Sequence, residues 1–184
     1  MADENTVLAR RLERAQAEMA RQGVDFLFVT PSSDLVYMLG YPAHSSERLT
    51  LLGIPRVGRP FVVAPRLEAV RLDGRRDIVD VHAWGETESP SMLVASLVGD
   101  ATGKTIAVSD QTWSVFLLRL QAALSGADWA PGAGVIGALR VVKDEAELAA
   151  LREAARRTDA AWSRFIESTR LSGLTELQAG AELT

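Results

Sequence analysis

RRLERAQAEMARQGVDFLFVTPSSDLVYMLGY, residues 10–41, decides the class of fold. Leu8, Leu12, Ala15 and Met19 recur at steps of four, three and four, while Arg10, Arg11, Arg14, Glu18 and Arg21 take the opposite side. This spacing predicts an amphipathic helix over Asn5 to Gln22. Gly23 follows its last turn, where a left-handed residue carries least strain. VDFLFVT then reads as a strand of β-branched and aromatic residues. It is apolar almost throughout, as expected inside a sheet covered on both faces.

The same alternation continues outward. PSSD makes a turn before LVYMLGY, which is expected to be a strand, and LTLLGIP, PFVVAP, DIVDVHAW and KTIAVSD supply four more strand candidates. Helical stretches are expected after Pro65, from Ser91 to Val98 and from Trp113 to Leu124. ADWAPGAG reads as a loop, and VIGALRVV as a return to extended structure. Strands alternating with helices indicate α/β architecture. From Asp144 the pattern changes. Leu148, Leu151, Ala155, Trp162, Phe165 and Thr169 fall on one face of a long helix that Asp144 and Glu147 begin as a capping box. Leu171-Ser172-Gly173 ends it, and Thr175 with Gln178 marks a further helix start about two turns before Thr184.

Composition narrows the function. At about 150 residues per domain, 184 residues predict one domain and an appendage. The 20 Lys and Arg against 24 Asp and Glu give a net charge of −4, which offers no general attraction for nucleic acid or anionic lipid. The four tryptophans do not interleave with basic residues, so base stacking is unsupported. Cysteine is absent, which removes disulfides, thiolate nucleophiles and thiolate metal sites and fits a reducing, cytoplasmic location. The charged N-terminus is unlike a signal peptide, and no apolar window approaches the roughly 20 residues of a membrane span.

Few motifs carry chemistry. GDATGKT places three residues between Gly99 and Gly103 where a phosphate loop needs four, and Lys104 leads into a strand rather than a helix. A plain turn is the better reading. Asp77, Asp80 and His82 would alternate on a strand, Asp80 and His82 on one face and Asp77 on the other, as a solvated outer surface with Val79 and Val81 toward the core. Glu86 and Glu88 read as exposed charges. His44, Glu47 and Arg48 lie in YPAHSSER, a polar loop between apolar segments, where positioned functional side chains are common. No Gly-x-Ser-x-Gly or His-Glu-x-x-His motif is present.

The opening stretch, SSERLTLLGIP, DVHAWGETESP, ALRVVKDEAELAALREAARRTDAA and GLTELQAGAEL together resemble the pita-bread metallopeptidases: Xaa-Pro aminopeptidases, prolidases and creatinase. The last two segments carry most of the resemblance, through Arg140, Lys143, Glu147, Gly173, Thr175 and Glu176. It implies a creatinase/prolidase N-terminal domain over residues 1–138, a mixed sheet of about six strands flanked by helices. Residues 139–184 would be the linker and first helices of a truncated pita-bread domain. In that family two divalent ions (manganese, cobalt or zinc) are held by two Asp, one His and two Glu beyond the reach of this chain, so no catalytic or metal-binding residue is expected here.

The resemblance further implies a role in homo-oligomer (dimer) formation and in lining the active-site entrance for short Xaa-Pro peptides, with Tyr41, His44 and Arg48 as lining candidates. Arg48 leads, as its planar donors suit a carboxylate. The alternatives are the same domain on a creatinase-like C–N hydrolase, or a non-catalytic protein-binding module. Leu148, Leu151, Trp162 and Phe165 of the long helix are expected to lack cover and to promote self-association.

Overall fold

Leu8, Leu12, Ala15 and Met19 are all buried on one face of α1 (Glu4–Gln22), and Gly23 ends the helix at φ 70°. The structure, a computed structural model, describes residues 3–182. After α1 the chain forms β1 (Phe26–Val29), α2 (Ser33–Leu39), β2 (Leu51–Pro55) and β3 (Phe61–Pro65). A short helix α3 (Arg66–Ala69) runs into a 3-10 turn, Val70–Arg75. Then come β4 (Asp80–Trp84), α4 (Pro90–Val98), β5 (Thr105–Val108), α5 (Ser114–Ala123), β6 (Asp128–Pro131) and α6 (Ala133–Val141).

The six strands form one mixed sheet in the order β4-β3-β2-β1-β5-β6. β2 is antiparallel to both β1 and β3, whereas β3–β4, β1–β5 and β5–β6 are parallel. All strands except β2 therefore run the same way. Side-chain alternation splits the core between the two faces. Leu27, Val29, Leu52 and Ile54 pack with residues of α1, α2 and α6, while Phe28, Leu51, Phe61 and Ile106 pack with residues of α4 and α5. The continuous apolar character of VDFLFVT has this cause, since both faces of the sheet are covered.

Four local expectations are corrected. LVYMLGY is not a strand. Ser32 caps α2 by accepting from the Leu35 amide at 3.4 Å, and Leu35, Met38 and Leu39 bury one helical face. VIGALRVV is also helical: Val135, Ile136 and Leu139 of α6 are buried in the same cluster as α1, and Gln22 Nε2 donates to the Gly134 carbonyl at 3.0 Å. ADWAPGAG contains β6, whose register pairs Asp128 to Pro131 with Thr105 to Val108. Asp77 is not on the strand with Asp80 and His82. The chain turns before β4, with the Ile78 and Val79 amides both donating to the Arg75 carbonyl at 3.0 Å.

The chain divides into two compact units, one ending at Val141 and the other starting at Val142. The second contains α7 (Glu145–Ser168) and α8 (Glu176–Glu182). Asp144 and Glu147 form the expected capping box, with bonds of 2.8 and 3.0 Å. Leu151 and Trp162 are exposed, as expected. Phe165 is not: it is only 8% exposed, and Leu148 is half-buried.

Candidate functional site

Sheet direction decides where functional side chains collect. The carboxyl ends of the parallel strands share one edge, and because β2 runs the other way, its amino end arrives there too. Register places Leu52 beside Val29 and Leu51 beside Val63, so Arg48, Leu49 and Thr50 enter at the edge where β1 and β3 finish. Ligands of α/β sheets bind at the carboxyl edge of the strands because the loops there converge while the backbone below is fixed.

The loop from Tyr41 to Thr50 is anchored along its length. The Ala43 amide donates to the Tyr41 carbonyl at 2.9 Å, and Ser45 Oγ donates to the Pro31 carbonyl at 3.2 Å. The Arg48 amide donates to Ser46 Oγ at 3.2 Å, and Trp84 Nε1 donates to the Leu49 carbonyl at 2.9 Å from a buried position. Below this edge the hydroxyls of Thr30, Ser109 and Thr112 bond to one another at 3.0 to 3.4 Å, which satisfies the polar groups that end β1 and β5.

Two cavities flank the loop. The larger, about 150 Å³, is lined by His44, Arg48, Thr50, Pro65, Leu67 and Glu68 among others. The smaller, about 10 Å³, lies against Thr30, Pro31, Gln111 and Trp113. Arg48 lines both. Its guanidinium meets the Glu86 carboxylate, and the pair is open to solvent at 35% and 71% side-chain exposure. Glu86 sits on the turn after β4, which is closed by the Glu88 amide donating to the Gly85 carbonyl at 3.0 Å and by the Gly85 amide donating to the Glu88 carboxylate.

Tyr41, His44 and Arg48 thus occupy different positions. His44 is exposed on the wall of the larger cavity, beside Arg48. Tyr41 is buried and its hydroxyl donates to Glu68 Oε2 at 2.7 Å, so it reaches the cavity through Glu68. Burial, reinforced by the Glu68 hydrogen bond and negative charge, pushes the Tyr41 phenol up to about 12. It is a donor, not a base, near neutral pH.

Glu68 and Thr50 escaped the sequence reading. Glu68 lies in a short charged helix and Thr50 beside an apolar strand, so neither has a local signal. Glu86 is exposed, as read, and is also the partner of Arg48.

The other clusters are structural. Asp80 Oδ1 accepts from Arg59 Nε at 2.8 Å, and His82 stands edge-on to Phe61. Lys104 Nζ donates to the Val98 carbonyl at 3.3 Å and lies 5.4 Å from the Phe26 ring centre, so the Gly99–Lys104 segment is an ordinary turn. Among the described residues no group of three or more His, Cys, Asp or Glu side chains is placed to hold a metal ion.

A mixed α/β domain with an anchored, charged loop at the carboxyl edge of its sheet is the class that this geometry defines. The chain belongs to the Creatinase/Prolidase N-terminal domain family, whose model matches residues 11–142. It is 37% identical over 180 residues to proteins from Mycobacterium bovis and Mycobacterium tuberculosis named "Probable dipeptidase PepE", covering 96% of this chain and 47% of theirs. The crystal structure of dipeptidase PepE from Mycobacterium ulcerans superposes with a TM-score of 0.87 at 35% identity, over 100% of this chain and 49% of that one. A prolidase from Thermococcus sibiricus gives 0.88 at 26% identity, over 100% and 49%. The chain spans about half the length of the curated relatives it matches.

Proposed function

We propose that this chain is the N-terminal, non-catalytic part of a proline-directed metallopeptidase, an Xaa-Pro dipeptidase or aminopeptidase of the cytoplasm, and that it contributes to assembly and active-site access. One observation carries the reading: 37% identity to a named dipeptidase along 96% of this chain. Residues 1–138 are the accessory domain on this reading, and residues 139–184 lead into the catalytic half. Among the described residues no side-chain group fits the divalent pair that such an enzyme requires, and no step of hydrolysis is assigned to them.

The chain's own residues would act on substrate from a neighbouring copy in a dimer. Arg48 presents planar donors to the carboxylate of a short peptide, while His44 and Tyr41, the latter through Glu68, shape the approach. The Arg48–Glu86 pair is exposed and holds its partners by only about 0 to 1 kcal/mol. A substrate carboxylate therefore displaces Glu86 with little penalty.

The test uses the whole protein. Arg48→Met is expected to raise KM for an Xaa-Pro dipeptide about tenfold with kcat changed less than about twofold, the pattern of lost binding rather than lost chemistry. The 184-residue chain alone is expected to give no Xaa-Pro hydrolysis with added manganese or cobalt. Chelator-sensitive turnover by the chain alone would refute the assignment.

A further inference from the structure

We infer that the larger cavity at the carboxyl edge of the sheet is a binding site, within a single chain, for a small zwitterion of the free α-amino acid class. The inference rests on the chemistry of the walls and does not require the peptidase reading.

Five polar side chains line this cavity, His44, Ser46, Arg48, Thr50 and Glu68, and three of them set the charge pattern that selects a ligand. Arg48 contributes a permanent cation, Glu68 a carboxylate and Thr50 a hydroxyl. Each has capacity left over. The guanidinium has five N–H donors, and one of its nitrogens is engaged by Glu86. Both hydrogen bonds to the Glu68 carboxylate, from the Tyr41 hydroxyl at 2.7 Å and from Arg71 Nη1 at 3.3 Å, fall on Oε2, which leaves Oε1 available.

Thr50 is the sharpest sign. It is only 5% exposed, yet its hydroxyl has no hydrogen-bond partner among the described residues. No fully enclosed side-chain polar atom among those residues lacks a partner, so the Thr50 hydroxyl keeps some accessible surface, and Thr50 lines this cavity. A nearly buried hydroxyl that is not satisfied by protein bonds either an ordered water or a ligand atom that displaces it.

The combination selects among ligands. A metal cation would need more carboxylates or imidazoles than Glu68 and His44 provide. A phosphate or sulfate would be drawn by Arg48 and repelled by Glu68. An α-amino acid carries both complements at once: its carboxylate meets Arg48, its ammonium meets Glu68, and either can bond the Thr50 hydroxyl, as donor to it or acceptor from it. Pro65 and Leu67 supply apolar wall for a short side chain. A cavity of about 150 Å³ restricts that side chain to the smaller residues.

Titration of the 184-residue chain with L-alanine, followed by amide chemical shifts, tests the site. Saturable shifts below about 10 mM are expected. N-acetyl-L-alanine and L-alaninamide, each lacking one charge, should bind at least about tenfold more weakly. Thr50→Val, close in shape but without the hydroxyl, should weaken L-alanine about tenfold. Arg48→Met should abolish it while the melting temperature stays near the parent value.

No saturation by L-alanine, equal binding of the acetylated or amidated probe, or unchanged affinity in both variants would overturn the proposal. Since no hydrolysis is measured, failure here leaves the peptidase reading standing, and the KM test on the whole protein can fail without touching this result.

Discussion

Phe61 lies over Gly53 so closely that a Cβ built on the glycine would come within 2.2 Å of its Cζ. The two are register partners on β2 and β3, and the ring is buried at 6% exposure, so its neighbours leave it no free path of retreat. Gly53→Ala is therefore expected to destabilise the domain by about 1 to 3 kcal/mol, read as a lower urea midpoint with an unchanged slope. Tyr41 offers a second test. Its folded pKa, about 12, lies above the ordinary 10, so its contribution is complete below pH 10 and is lost as pH rises through about 12. Tyrosinate absorbance should show one phenol ionising only near that upper value, and Tyr41→Phe should remove this step and cost about 1 kcal/mol at neutral pH. The site was legible only where a residue advertises itself: Arg48 and His44 stand in a polar loop, whereas Thr50 joins them through strand register and Glu68 through the short helix that follows β3, which no local stretch encodes.

Among the elements, the long amphipathic ones were legible and the short ones were not. α1 and α7 run for 19 and 24 residues, enough for the helical period to separate from any alternative. α2 and α6 have 7 and 9 residues of mostly apolar character, where a strand and a buried helix leave the same trace. Their true state is set by what they pack against, and the local clues are small: the Ser32 cap and the left-handed Gly40 at φ 64° for α2. β6 failed in the opposite way. It is a sheet-edge strand with no fully buried residue, so it lacks the apolar run that announces β1. The capping box of α7 was visible in sequence because its partners are three residues apart. Asp144→Ala should reduce the stability of this helix by about 1 kcal/mol, seen as faster amide exchange through the first turn after residue 144.

Taken as a whole, the molecule pairs a sheet domain with well-filled cores on both faces and a second unit whose long helix keeps apolar side chains in water. Leu151, Trp162 and Ile166 of α7 are 53%, 55% and 53% exposed, and Leu177 of α8 is 86% exposed. At 100° per residue, Leu151, Ala155, Trp162 and Ile166 fall within one narrow stripe, which runs for about 22 Å along the helix. Contiguous apolar surface of more than a few hundred Å² is uncommon on a monomer and marks a place of association. The partner available to the isolated chain is a second copy, whose identical stripe can pair with it antiparallel about a twofold axis. Sedimentation equilibrium should therefore give a mass above that of one chain, rising with concentration, and Trp162→Glu should lower it toward the monomer by placing a charge in the stripe. A chain ending at Val142, with its sheet spectrum intact by circular dichroism, should sediment as a monomer. If it keeps the mass state of the parent, the interface belongs to the sheet domain and α7 has no part in assembly.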